Sequence, residues 1–554
     1  MPVEKEKQEV RAKPRIGLIA AAALVFLLAL SLRVYFGRLA VGPLDNDSTY
    51  YYLLGRNLAE GRGFVEDLVW NYVSPPASVT HPSHDYWMPL ESLLIAGSLR
   101  LGGGAFFTAL LPNLFFGSLL PVLAMALALQ LGARKSWALA AGLFLACSPR
   151  LVFYSITTDA AVVYAFFGGL AAWTALQGGK GKPAWLLASG AAIGLCHLSR
   201  NDGALWAPAL IVLYLSGLRR PADGRPALRG YLFAAAGYLI VMAPWMLRNL
   251  SAFGALFPPA STRVMFFHDY MDMYAFGREF NWHTYWAGGV AGPLQAKISA
   301  LGEMLKTEAV RGPLDRRLAP FALLGLLRAR PRARVLFVSH AALVALVWSF
   351  LLDALVGPYG GTERTAVGQA IYLVPAAMLG FQQLDDWLQA LLSHRRAWAP
   401  ALLLAVAAFL QWQSPLEWNR LDRVLKFARS DWAYFQKVGL ALKSGDEARP
   451  VVMAFRPWQL AAASGLPAVS IPSNGWAATL AACRRYGVDD LVLETDRKFE
   501  KPEFQEVVAN LEAARQGAEA GVPAGPFQPA GRVGDSWIFK LVSPETLPES
   551  EAPP

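Results

Sequence analysis

The chain has 554 residues, 55% of them apolar and only 17% charged, with a formal charge of +10. A soluble protein carries about 25% charged residues, so a large part of this chain has a solvent other than water. The basic residues punctuate apolar segments and form no single patch, which argues against nucleic-acid binding and for a polytopic membrane protein.

Residues 1–15, "MPVEKEKQEVRAKPR", read as a cytoplasmic tail. The apolar run after them, to about Phe36, is longer than a signal-peptide core and lacks a small-residue cleavage site, so it reads as a retained helix. Further apolar segments lie at 105–131, 136–148, 159–177, 184–199, 203–218, 229–249, 310–327, 335–355, 368–384 and 398–412. Together they predict about eleven transmembrane helices in a domain spanning 16–412, although several fall short of the roughly 20 residues of a straight span. The stretch "WMPLESLLIAGSLRL" at 87–101 is assigned to the membrane interface. Only then do Arg134/Lys135, Lys180/Lys182, the arginines 219–229, the run "RARPRAR" and Arg395/Arg396 fall on one side, which is the cytoplasmic one. The N-terminus is then inside, the loops 38–104 and 250–310 outside, and the tail outside as well.

That tail, 413–542, changes to soluble composition. "VVMAF" and "DLVLE" read as buried strands, and "SDWAYFQKVGLALKSG" and "FQEVVANLEAARQ" as helices, which predicts a small extracytoplasmic α/β domain. It has no GxGxxG turn. Residues 543–554, rich in Pro, Glu and Ser, read as disordered. The three cysteines, Cys147, Cys196 and Cys483, have no metal-ligand spacing and suggest no disulfide framework.

The first outer loop opens with "VGPLDNDSTYYYLLGRNLAEGRGF". Asp47 or Ser48 is a suitable N-cap for a helix that ends before Gly61 and Gly63. Tyr51, Leu54 and Leu58 share one face, so the helix is expected on the membrane surface, with tyrosines at headgroup level. Its N-terminus would point Asp45 and Asp47 at the centre of the outer face, and charges at that depth are paired, solvated or functional. A sugar carried on a lipid phosphate reaches such a site laterally. A carboxylate then supplies the base for an incoming hydroxyl, and cationic groups hold the departing phosphate.

Several ordered segments resemble the GT-C membrane glycosyltransferases, which include protein O-mannosyltransferases, aminoarabinose transferases and oligosaccharyltransferase catalytic subunits. "DNDSTYYYLLGRNLAEGRGF" is similar to the acidic motif that opens their first outer loop, with Asp47-Ser48 where Asp-Glu is common. "THPSHDYWMPLESLLIAGSLRLGG" resembles their His/basic-Pro segment, "SPRLVFYSITTDAAVVYAFF" their second outer loop, and "GGTERTAVGQAIYLVP" the start of a late span. The resemblance implies a sugar transfer from a polyprenyl-phosphate donor to an acceptor lipid, glycan or protein, with inversion. Asp47 is then the general base, Asp45 and Asp159 orient acceptor or metal, and His81 and Arg364 hold phosphate, a guanidinium gripping two oxygens at once. Tyr51, and Arg263, His268 and Asp269 of the outer loop 250–310, complete the expected substrate-binding set. Arg200 and Asp202 of "HLSRNDGALWAPAL" read as a structural pair. No cofactor is expected. A metal-dependent, oligosaccharyltransferase-like rival would place Mg or Mn on Asp47 and Asp159, and a transporter would instead need ionisable residues near span midpoints.

Overall fold

The computed structural model describes all residues except 1, 179–181, 219–227, 312–316, 357–360, 392–414, 445–448, 495–501, 520–524 and 543–554. The span expected at 398–412 and the tail 543–554 lie outside the described residues.

Helix α1 (Pro2–Gly37) opens the chain. The first long loop holds α2 (Asn46–Ala59), the two-residue strands β1 (Val65–Glu66), β2 (Leu68–Val69) and β3 (His81–Pro82), and α3 (Leu90–Gly102). Next come α4 (Phe106–Leu131), the pair α5 (Lys135–Ala146) and α6 (Pro149–Ser155), α7 (Ala161–Gly178), α8 (Pro183–Ser199), α9 (Trp206–Leu218) and α10 (Leu228–Phe253). The second long loop carries α11 (Pro259–Arg263), α12 (Trp282–Trp286) and α13 (Ala291–Arg311). The helices α14 (Ala319–Arg328), α15 (Pro331–Phe350) and α16 (Thr362–Leu391) complete the apolar part.

Among the described residues five stretches are long and apolar enough to cross a membrane: Gly17–Gly37, Phe106–Leu131, Ala161–Gly178, Gly230–Phe253 and Pro331–Phe350. The pair α5 and α6, bent by 58°, makes a sixth if it is one broken span, and α8 and α14 are shorter apolar helices. The helices pack closely where side chains are absent. A methyl group on Gly190 of α8 would lie 1.8 Å from Ala234 O of α10, and one on Gly325 of α14 would lie 1.8 Å from Ala376 O of α16. Small residues at such crossings let backbones approach where lipid gives no hydrophobic drive for association.

After α17 (Pro415–Lys443) the chain alternates β4 (Val452–Ala454), α18 (Pro457–Ser464), β5 (Ala468–Ser470), α19 (Trp476–Tyr486), β6 (Asp490–Leu493) and α20 (Pro502–Glu519), then closes with the hairpin β7 (Phe527–Val533) and β8 (Ser536–Leu541). The sheet order is β2-β5-β4-β6-β8-β7. Its edge strand β2 comes from the first long loop and pairs parallel to β5, with Leu68 opposite Ala468 and Val69 opposite Val469. Around this junction Asp67 binds Arg62 at 2.6 Å and Arg449 at 2.7 Å, and the Tyr72 hydroxyl donates to Ser470 O.

The same junction corrects the expected position of α2. Tyr50, Tyr51, Tyr52, Leu53 and Leu54 are all buried. Arg56 Nη1 donates to Ala462 O at 3.0 Å, and Gln459 Nε2 donates to Asn46 Oδ1 at 2.7 Å. The helix packs between α3 and the C-terminal domain, so its apolar face meets protein.

Candidate active site

The N-terminus of α2 is built by a capping box two or three residues earlier than the sequence suggested. Asp45 is the N-cap: its Oδ1 accepts from Ser48 N at 2.8 Å, and Ser48 Oγ accepts from Asp45 N at 3.0 Å. Ser48 therefore serves as the reciprocal N3 partner, a role usually taken by Glu or Gln. Asp47 falls in the first turn without a capping duty, and its carboxylate is left for tertiary contacts.

Those contacts converge on Arg364, in the first turn of α16. Its Nη2 lies 3.2 Å from Asp45 Oδ2 and 3.1 Å from Asp47 Oδ2, and its Nε lies 2.5 Å from Asp159 Oδ2. Asp159, just before α7, is fixed by its other oxygen, which accepts from Ala161 N at 2.8 Å. The turn carrying Asp159 is held on two sides. Asn113 Nδ2 of α4 donates to Thr157 O at 2.6 Å and Asp159 O at 2.9 Å, while Thr158 Oγ1 donates to Ser48 O at 2.6 Å. Arg200 stands alongside, with Nε 3.1 Å from Asp202 Oδ1, and Asp202 accepts from Thr365 Oγ1.

Three carboxylates facing one guanidinium leave an excess of negative charge. Burial pushes the Asp47 carboxyl up to about 7; Arg364 opposes the rise, while the charges of Asp45 and Asp159 add to it. Asp45 is raised as well, first by burial. A carboxyl titrating near neutrality can accept a proton from a substrate hydroxyl and release it again.

Asp47, Tyr51, Arg200 and Arg364 open onto a cavity of about 140 Å³. Its walls are aromatic: Trp70 and Trp87, stacked with centroids 4.4 Å apart, Tyr270 and Tyr274 of the second long loop, and Trp458 at the start of α18. The cavity thus combines an acid–base group, two cations and flat apolar faces contributed by both parts of the chain.

A family model described as dolichyl-phosphate-mannose-protein mannosyltransferase matches residues 80–247. No curated protein matches the sequence significantly. Among solved structures, the oligosaccharyltransferase of Archaeoglobus fulgidus tethered to an acceptor peptide superposes with a TM-score of 0.54 at 14% identity, covering 86% of this chain and 69% of that one. AglB from the same organism, in complex with an inhibitory peptide and a dolichol-phosphate, gives 0.53 at 14% identity over 87% and 70%. ArnT of Cupriavidus metallidurans in the apo state gives 0.53 at 12% identity, over 96% of this chain and 99% of that one.

The chain has the fold of the GT-C superfamily.

Within this GT-C fold the residues singled out from sequence separate into two groups. Asp45, Asp47, Asp159 and Arg364 form one cluster, and Tyr51 lines the cavity beside it. His81 stands apart from that lining: its Nδ1 contacts Val79 O at 2.9 Å and its Nε2 lies 3.4 Å from Glu66 Oε1. Burial lowers the affinity of this imidazole for a proton, but Glu66 overrides that and brings His81 up to about 9. Arg263 donates to Val73 O at 3.0 Å, His268 stacks on Tyr285, and Asp269 caps the turn Tyr270–Tyr274. These three brace the second long loop, which reaches the cavity through Tyr270 and Tyr274. Arg200, read from sequence as structural, lines the cavity. Its position before Asn-Asp-Gly at the end of an apolar run was the available signal. For Trp458 the tail offered none.

Among the described residues no three His, Cys, Asp or Glu side chains converge as a metal-ligand group. Asp47 and Asp159, the pair considered for Mg or Mn, are bridged by the Arg364 guanidinium, which does not suit that donor set to a divalent ion.

Proposed function

We propose that this protein is a membrane glycosyltransferase that moves a hexosyl or pentosyl unit from a polyprenyl-phosphate donor to an acceptor hydroxyl on the extracytoplasmic face. The observation that carries this reading is the placement of Asp47, raised to about 7, in one cavity with Arg364 and Arg200. Likeness to ArnT over nearly the whole of both chains supports it, as does likeness to AglB bound to dolichol-phosphate. The acceptor oxygen attacks the anomeric carbon as its proton passes to Asp47. The bond from that carbon to the phosphate oxygen breaks with its electron pair on the phosphate, and the configuration inverts. Arg364 and Arg200 offset the charge that develops on the leaving group, and the aromatic walls seat the sugar ring. Asp45 and Asp159 hold Arg364 in place and set the base's proton affinity. In this reading the guanidinium of Arg364, which lies between Asp47 and Asp159, supplies the positive charge.

In the sidedness we propose, the N-terminus is cytoplasmic and the cavity, with the C-terminal domain, extracytoplasmic, following the positions of the basic connectors. The test uses purified protein in detergent, radiolabelled polyprenyl-phosphate hexoses and pentoses, and cell-envelope lipid, glycan and protein fractions as acceptors. Transfer is expected to persist in EDTA and to disappear with Asp47→Asn. Transfer abolished by EDTA and restored by Mg or Mn would move the reading to the metal-dependent class. Labelling of Asn46→Cys only from the cytoplasm would refute the sidedness.

A further inference from the structure

The short helix α18 brings Trp458 to the cavity wall and Gln459 to Asn46, the residue before Asp47. A helix of about two turns is marginal by itself, and the N-cap residue of this one makes no side-chain capping bond, so packing must fix its position. Its far end is held by Arg56, which donates to Ala462 O at 3.0 Å. Its near end is held by Arg456, the residue immediately before it. This side chain is almost wholly buried and reaches two elements of the C-terminal domain. Its Nε donates to Oε2 of Glu494, just past β6, at 2.7 Å, and its Nη2 grips the same oxygen. Its Nη1 donates to Asp431 Oδ1 of α17, and its Cζ stands 4.6 Å from the centre of the Phe435 ring, one turn further along that helix. A buried ion triad is a poor source of stability, because apolar groups of similar volume often serve as well. What apolar groups lack is direction, whereas a planar guanidinium holds its partners at set angles. The clamp therefore defines where α18 starts, two residues from the indole that lines the cavity.

We propose that Arg456 is a positioning residue: by tying the start of α18 to α17 and to the end of β6, it sets the Trp458 wall of the cavity against Trp70 and Tyr274. The ring centroids of these two neighbours lie 5.9 and 6.4 Å from that of Trp458. Through this clamp the C-terminal domain shapes the seat of the sugar ring from outside the reacting atoms. This inference rests on the transferase reading only for its kinetic consequences.

The test uses the full-length protein in detergent and a paired variant, Arg456→Met with Glu494→Met, which removes the fork without stranding a fully buried carboxylate. Its melting temperature should stay close to that of the parent. Hydrogen exchange of the α18 amides should quicken by at least about tenfold, while α4 and α16 keep the parent rates. KM for a polyprenyl-phosphate sugar should rise by about 2- to 10-fold, the worth of one aromatic contact, with kcat within about twofold, the pattern of lost uniform binding. In a Trp458→Ala background the same pair of changes should leave KM where Trp458→Ala alone puts it, because the wall being positioned is gone. Arg456→Lys keeps the charge but not the fork and should show the same effects in smaller measure. Parent-like exchange in α18 would overturn the proposal, as would an unchanged KM or a KM shift that persists in full without Trp458. The exchange needs no substrate, so it judges Arg456 even if the parent transfers no sugar, an outcome that would sink the transferase reading alone. Should the paired variant not fold, Arg456→Lys decides the matter by the same measurements.

Discussion

Replacing Asp47 with Asn removes the proposed proton acceptor while keeping its shape, and the consequences run in opposite directions for rate and stability. General-base catalysis contributes ~10²- to 10⁴-fold, so kcat/KM should fall by at least about 100-fold, or ~3 kcal/mol of transition-state stabilisation. In the parent, only ionised Asp47 is active, so kcat/KM should rise with pH and level off above about 7; the variant should lose that limb. Stability should respond the other way. The carboxyl is raised from 3.8 to about 7, so between those values the native state holds a proton that the unfolded state releases, and stability falls as pH rises. The full span corresponds to roughly 4 kcal/mol at 1.36 kcal/mol per pH unit, an upper bound because the side chain is 23% exposed. Asp47→Asn should therefore melt higher than the parent at pH 8 and match it near pH 4. The assay pairs initial rates from pH 5 to 9 with thermal unfolding in detergent over pH 4 to 8. A variant that keeps the pH limb, or that melts lower at pH 8, would refute this account of Asp47.

Arg364→Ala leaves three carboxylates facing each other and should lower stability by about 3–5 kcal/mol at pH 8, less at pH 5 where Asp47 is protonated, as read from melting curves. His81 is held up to about 9 by Glu66, so its stabilisation is complete below the unfolded value near 6.5 and is lost as pH climbs through 9. His81→Gln should flatten the melting temperature across pH 6.5 to 9, and an unchanged slope would count against the pair. Leu68 is fully buried where β2 joins the C-terminal sheet, so Leu68→Ala should destabilise that junction by about 2–5 kcal/mol. Proteolysis should then cut at residues 62–80 or before β4, and transfer activity should fall although the cavity chemistry is untouched.

Much of the site was legible because charge beside a long apolar run is conspicuous. Asp45, Asp47, Asp159 and Arg364 all flank such runs, and all four meet. His81, Arg263, His268 and Asp269 looked equally promising as polar residues in aromatic loops, yet they are consumed by contacts within or between those loops. Residue type says what a side chain can bind; only the fold says whether a neighbour has bound it first. The tyrosines of α2 illustrate a second boundary. Their apolar stripe was real, but lipid and protein bury such a stripe equally well, and the cover turned out to be α3 and the C-terminal domain. Strand β2, two residues long, is too short to show any alternation, and its partner lies in the tail.

That short strand has a consequence for how the protein is made. Leu68 emerges from the ribosome 400 residues ahead of Ala468, the residue it pairs with. Until the tail has folded against the first loop, that loop has an unsatisfied strand edge, α2 lacks its roof and the cavity lacks Trp458. The base and its cation can assemble early from α2, α7 and α16, but the chamber around them closes only when the last segment arrives. A half-synthesised chain therefore lacks the enclosed cavity, and a transplanted tail must bring a matching β5 edge to restore it.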